Sequence, residues 1–388
     1  MIVIFSGSTG RLPYGGHAWI DMQYLGGLSA LGHEVFYLEE CGKESWVYDW
    51  DAGQLTTDLF YPASYVRACL EPLGLGDKWI YRAGDSSEGM DTDEFRDVCS
   101  RADLMLIRAV PLPLWRPEYG LPRSHAFIDA DPGFTQISLA NGHRDLRATV
   151  ERCGRLFTVG QRVGLPDCPI PTVGREWLKT LPPVSLAHWP RADDEQATHF
   201  TAVMHWRGFR DVEYGGVVYG QKDREFPKFI DIPRLTEQPF RVALTGGDPE
   251  ELARHGWEVI EGWKPSRTPE LYRAFIAGSR AEFGVAKHGY VAMKGGWFSD
   301  RSVCYLASGR PALVEDTGLE DWLPVGEGLV TFQDVPGALK GIDAINADYE
   351  RHRRAARTLA EEIFDAERVL PPLVEAATLR ASSFVLRP

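Results

Sequence analysis

Cysteine is scarce and unorganised in this chain. The six, Cys41, Cys69, Cys99, Cys153, Cys168 and Cys304, form no CxxC pair and no Cys/His cluster at zinc spacing. That excludes a zinc finger or ribbon and a disulfide-stapled scaffold. A reduced, cytoplasmic protein with structural thiols is the expectation. Long apolar runs are also missing: none approaches the ~18 residues of a membrane span. The N-terminal Ile2-Val3-Ile4-Phe5 is too short, and lacks the basic flank, for a signal peptide. It reads as a first strand. Positive charge is in deficit, with 55 acidic against 42 basic residues and a net charge of −13. Such a surface disfavours polyanions, so no nucleic-acid partner is expected.

What is present is ordinary globular material in quantity. A chain of 388 residues with 44% apolar content is long enough for two domains, each with its own core. Short apolar runs alternate with helical patterns throughout, the signature of α/β domains with parallel sheets. The first half predicts strands at Ile2–Ser6, Glu34–Leu38, Trp79–Arg82, Leu104–Ile107, Ala126–Asp129 and Leu156–Val159, with a helix from about Ala18 to Leu31. The second half predicts strands at Phe200–Met204, Arg241–Thr245, Glu258–Glu261, Ala281–Ala286, Pro311–Glu315 and Leu329–Phe332. Helices fall between them, among them Pro269–Gly278 and Arg301–Ser308. Leu181–Thr198 is rich in Pro, Asp and polar residues and reads as a linker. The expected division is 1–185, a linker at 186–198, a second domain at 199–365 and a terminal segment, 366–388, returning to the first domain. The segment Asp348–Ala377 is a long helical pattern that Asp365-Ala366-Glu367 and Pro371-Pro372 are expected to break. Two doubly wound domains facing each other bring the carboxyl ends of both sheets to one cleft, where such sheets bind ligands.

The stretch Lys294–Gly318, KGGWFSDRSVCYLASGRPALVEDTG, carries the most chemistry. A glycine-rich loop ends in Ser299-Asp300-Arg301-Ser302, where a helix should begin. Ser and Asp cap helices well. A helix N-terminus presents free N–H groups and partial positive charge, which suit phosphate, and Arg301 would add a bidentate clamp.

In the first half, Gly16-His17 is followed sixteen residues after Gly16 by Gly32-His33-Glu34-Val35. Together with Ala307-Ser308-Gly309-Arg310-Pro311 and Glu315-Asp316-Thr317-Gly318, this pattern resembles the GT-B glycosyltransferases. These move a sugar from a nucleoside diphosphate to an acceptor. The resemblance covers nearly the whole chain and leans toward the group with an Asp-Arg pair at the helix start. It implies two facing Rossmann-like domains, with the acceptor on the first, the nucleotide sugar on the second, and a C-terminal helix crossing back. It implies that Ser299, Asp300, Arg301 and Ser302 hold the donor diphosphate, with Lys222 as a second cation. Gly262 and Trp263 would meet the base, and Asp316, Thr317 and Gly318 the sugar hydroxyls. The chain departs from many retaining members, which carry two glutamates eight residues apart. Gly296 and Cys304 stand in their places.

An acceptor hydroxyl must lose a proton as it attacks, and His17 is the candidate base. The same position also suits a helix-capping or substrate-binding histidine, and Gly15-Gly16 a close approach to diphosphate. A base histidine needs a carboxylate, which Asp129 or Asp131 would supply. Asp131 equally fits the start of an Asp-Pro-Gly turn. Asp129-Ala130-Asp131 also matches a D-x-D metal motif, but the favoured scheme needs no metal and no cofactor beyond the nucleotide sugar. Gly7–Gly10 with Glu39 invites a dinucleotide reading, and an NAD-linked oxidoreductase is the alternative, although the GxGxxG spacing fails. A non-catalytic binding protein of the same fold is the other. Gly16 with Trp46 and Trp50, in the aromatic stretch Ser45–Tyr65, is the expected pocket for a small-molecule acceptor.

Overall fold

The computed structural model describes residues 1–193 and 197–379. Residues 194–196 of the expected linker and 380–388 of the expected terminal segment lie outside the described residues. The first sheet has eight strands, in the order Leu178–Lys179, Arg155–Thr158, Ser124–Asp129, Leu104–Arg108, Ile2–Ser6, Glu34–Glu40, Trp79–Ala83 and Ser86–Gly89. All pairs are parallel except the last, an antiparallel edge. The second sheet has six parallel strands, in the order Glu258–Glu261, Phe240–Thr245, Phe200–His205, Ala281–Gly284, Ala312–Glu315 and Leu329–Phe332. The architecture is two Rossmann-like domains.

Alternation along the strands explains why both sheets are covered on both faces. In the first sheet Ile4, Phe36, Ile80 and Met105 enter one core. Val3, Phe5, Val35, Tyr37 and Leu106 enter another on the opposite face. A third core lies between the domains, joining Ala18, Trp19 and Met22 to Tyr272, Ile276 and Val303. Each sheet has a topological switch point, where strand order reverses. In the first it falls between Ile2–Ser6 and Leu104–Arg108, and in the second between Phe200–His205 and Ala281–Gly284.

The chain passes between the domains twice, and the two passages touch. Val184 N–H donates to the Phe364 carbonyl at 2.8 Å, and Ala366 N–H returns to the Val184 carbonyl at 2.9 Å. Beyond that bridge the helix Ala366–Thr378 lies on the first domain, where Ala366 and Leu370 pack against Gly27. The long terminal pattern therefore breaks at Asp365, which caps this helix, but not at Pro371-Pro372. Both prolines sit on the exposed face, as do Glu367 and Arg368, whose carbonyls lose an N–H partner, so water is at hand to replace it. The buried face, Val369, Leu370, Leu373 and Val374, holds the helix together.

Candidate active site

The first strand ends in the loop Gly7–Tyr14, and the loop's own N–H groups are already taken. Ser8 N–H donates to Asp21 at 2.9 Å, and Thr9 N–H to the Tyr37 hydroxyl at 2.9 Å. Gly10 and Arg11 N–H both reach the Glu39 carboxylate, at 2.8 and 2.6 Å. A pyrophosphate at this loop would meet two buried carboxylates instead of free donors. The geometry therefore disfavours the dinucleotide reading. Glu39 serves the loop and not a ribose, and burial pushes its pKa up to about 7.

His17 lies in the first turn of the helix Gly15–Ala30, and its Nε2 shares a 2.7 Å hydrogen bond with Ser8 Oγ. Behind it Asp21 and Arg108 form a fully buried ion pair at 2.9 Å. Burial pushes the His17 pKa down to about 4, with the Asp21 charge opposing, so the ring is neutral near pH 7. The expected orienting carboxylates do not hydrogen-bond it. Asp129 is buried and takes hydrogen bonds from Gln136 Nε2, Thr158 Oγ1 and Asp131 N–H, at 2.8, 2.7 and 3.0 Å. It braces its own loop. Asp131 points across the cleft, where its Oδ1 accepts from the Tyr290 hydroxyl and from Lys287 Nζ at 3.2 Å. Because the two carboxylates diverge, they do not make the D-x-D ion site either.

On the second domain Ser299 caps the helix Asp300–Ala307. Arg301 is not the exposed clamp that the sequence suggests. Its Nε donates to buried Glu282 at 2.6 Å and its Nη1 to the Val203 carbonyl at 3.0 Å. Val203 and Glu282 belong to the two strands at the switch point, so Arg301 stitches the gap where they part. Only Nη2 has no protein partner among the described residues. The Arg301 side chain, Ser299 and Ser302 line a narrow cavity with Gly284, Ala286 and Trp297. The Ser302 hydroxyl is buried there without a partner. Lys222 Nζ donates to the Val285 carbonyl. Burial, then the Arg301 charge, push its pKa well below the usual lysine range, and Lys287 adds to the effect. Three cations thus crowd the carboxyl end of the second sheet. Asp300 sits in the fields of Arg108, Asp131 and Asp21 from the opposite domain, and burial pushes its pKa up to about 6.

Other expected site residues have structural partners. A Cβ on Gly15 would stand 2.1 Å from the Thr268 carbonyl oxygen, and one on Gly16 2.7 Å from the Tyr272 ring. These glycines admit the second domain's helix Pro269–Ala277, not an acceptor. A Cβ on Gly262 would meet Thr245 and the Leu244 carbonyl at 2.2 and 3.0 Å, so this glycine serves packing. Trp263 stacks on Trp50 across the cleft, with ring centres 6.0 Å apart and planes at 20°. The face expected to meet a base therefore meets the first domain. Trp46 is 63% exposed and bonded to Glu44. Asp316 is buried and accepts the N–H groups of Gly318 and Leu319, both at 2.9 Å. Thr317 Oγ1 donates to the Trp297 carbonyl at 2.5 Å. Gly318 takes a left-handed φ of 90° hard against Arg162 and Lys294. This acidic-glycine loop locks the loop before the helix.

Sequence reasoning missed Arg108, Asp21, Lys287, Tyr290 and His205, whose ring packs edge-on against Tyr14 at 5.4 Å and whose charge opposes protonation of His17. Arg108 and His205 end strands flanking the two switch points, and Lys287 follows the strand Ala281–Gly284. The switch-point rule is the signal that finds these three. Among the described residues no group of three His, Cys, Asp or Glu side chains gathers as a metal site. No helix there is long and apolar enough to cross a membrane.

No protein-family profile matches the chain, and no curated protein matches it in sequence. Solved structures do match in fold. An alpha-glucosyltransferase solved with UDP and a 13-mer DNA is 11% identical, with a TM-score of 0.59 over 97% of this chain and 99% of that one. HepE of Anabaena, solved with UDP and glucose, is 10% identical, with a TM-score of 0.56 over 97% and 99%. AviGT4, a glycosyltransferase of avilamycin A biosynthesis, is 15% identical, with a TM-score of 0.50 over 97% of each chain. The chain shares the two-domain GT-B fold of these glycosyltransferases over 97% of its length.

Proposed function

We propose that this protein transfers a sugar from a nucleoside-diphosphate sugar to a small-molecule acceptor. One observation carries the reading: a single cleft holds a neutral histidine, His17, on one wall and three basic side chains, Lys222, Lys287 and Arg301, on the other. Bond cleavage at the anomeric carbon sends negative charge onto the leaving diphosphate. Preorganised cations in a water-poor site stabilise that charge most in the transition state. The free Arg301 Nη2, Lys222 and Lys287 take this role, with the N-terminus of Asp300–Ala307 behind them. His17, already uncharged, accepts the proton of the attacking acceptor oxygen or nitrogen in a direct displacement. Two fold relatives solved with UDP add support.

Thermal shift with UDP, TDP, GDP and ADP tests donor binding, since a ligand bound only by the native state raises Tm. At least one should stabilise the protein, and a flat response to all four contradicts the reading. With that donor found, His17→Ala should lower kcat about a hundredfold or more and keep the Tm shift. Unchanged turnover would remove His17 from the base role.

A further inference from the structure

Lys287 is held by the opposite domain. Its ammonium lies 3.2 Å from Asp131 Oδ1, and 3.7 Å from the centre of the Phe209 ring, with Phe134 and Tyr290 further out. The Tyr290 hydroxyl donates to the same Asp131 oxygen. Lys287 also stands close enough to Lys222 for its charge to be felt there. One carboxylate therefore occupies a cation that belongs to the cluster at the end of the second sheet.

We infer that Asp131 is an internal stand-in for the donor's phosphate: it holds Lys287 from the opposite wall of the cleft and yields it when the diphosphate binds. This rests on the donor reading given above. A diphosphate, with two negative charges in all, outcompetes one carboxylate for an ammonium that can swing on a flexible stem. The exchange has a consequence on the far wall. Asp131 and His17 share a field, and the Asp131 charge favours proton uptake by His17. While Lys287 neutralises Asp131, that help is muted. Once Lys287 turns to the phosphate, the freed carboxylate makes His17 a stronger base. Asp131 is thus a positioning residue that couples donor arrival to acceptor activation, and the coupling acts in both directions. Donor should bind first.

Calorimetric titration with UDP on wild type, Asp131→Asn, and Asp131→Asn combined with Lys287→Met tests this. Asparagine keeps the acceptor oxygen for Tyr290 but gives up the charge. UDP affinity should tighten roughly three- to tenfold in Asp131→Asn, the range a part-exposed charged hydrogen bond supports. The gain should vanish in the double variant, and kcat should fall although donor binding improves. Equal or weaker UDP binding by a folded Asp131→Asn, with wild type binding normally, overturns the exchange and leaves the donor reading standing. UDP binding by none of the three, nor of TDP, GDP or ADP, overturns both. If Asp131→Asn does not fold, a UDP-bound crystal structure of the wild type decides: Lys287 still on Asp131 and away from phosphate refutes the inference.

Discussion

A lysine kept from water beside an arginine is a group waiting for an anion. Burial and the Arg301 charge disfavour the ammonium of Lys222, while a bound diphosphate favours it. The sign follows directly: a pKa depressed in the free protein rises on binding, so the complex takes up protons at any pH between the two values. Titration with nucleoside diphosphate at a series of pH values below the usual lysine range, in buffers of different ionisation heat, should show net proton uptake. Lys222→Met should reduce that uptake and weaken binding about tenfold or more, because it deletes one buried charge-assisted contact. Zero uptake at every pH of that series would mean that Lys222 does not meet the phosphate. Lys222 was legible in the sequence because it follows the second domain's first strand and hairpin. Lys287 was not, since a lone lysine after a strand looks like any solvated surface charge. Its meaning comes from Asp131, which lies 156 residues away.

At the scale of elements, the close approach of two helices organises the cleft. The helix Gly15–Ala30 of the first domain meets Pro269–Ala277 of the second, and Trp19 Nε1 donates across to the Pro269 carbonyl at 2.7 Å. Gly15 makes the approach possible, since a Cβ there would lie 2.1 Å from a backbone oxygen that cannot swing aside. Gly15→Ala should force the helices apart and lower kcat at least tenfold, because catalytic distances tolerate little displacement. Circular dichroism should stay native, and small-angle scattering should report a larger radius of gyration. A variant of wild-type activity and dimensions would show that the contact gives way cheaply. Regular elements of this kind were legible in the sequence. Ile2–Ser6, Glu258–Glu261 and Leu329–Phe332 fall where short apolar runs place them, the first nearly buried in the middle of its sheet and the other two half-buried at the edges of theirs. The three-residue strands Val47–Asp49 and Gln54–Thr56 were not legible: half-exposed pairs that short carry no period. Gly15-Gly16 was legible as a place of close approach, but not as to what approaches. Sequence spacing is the same whether the partner is a phosphate or a neighbouring backbone.

For the molecule as a whole, each domain sends a hairpin across the cleft. The hairpin Val47–Thr56 of the first domain carries Trp50 to Trp263 and Asp51 to Arg267. The hairpin Val212–Tyr219 of the second returns the contact, with the Glu213 carbonyl accepting from Asn141 Nδ2 at 2.9 Å. Phe209, just before it, packs edge-on against Phe134. A stacked aromatic pair contributes about 1 kcal/mol beyond its buried area, so this pair adjusts the closed fraction by a modest step beside the shared core and the other cross-cleft contacts. A cleft that must admit two substrates and then exclude water needs that intermediate strength. Trp50→Ala should therefore leave nucleoside-diphosphate affinity within about twofold, since the ring contacts of Trp50 among the described residues are with Tyr14, Tyr48 and Trp263 and with none of the three basic side chains. It should lower sugar transfer about tenfold and raise the share of donor lost to hydrolysis, because the open state lets water compete with the acceptor at the anomeric carbon. Counting free sugar against transferred sugar separates this from a plain loss of activity. Were transfer and hydrolysis to fall in proportion, Trp50 would be supporting the fold of its hairpin and not the seal of the cleft.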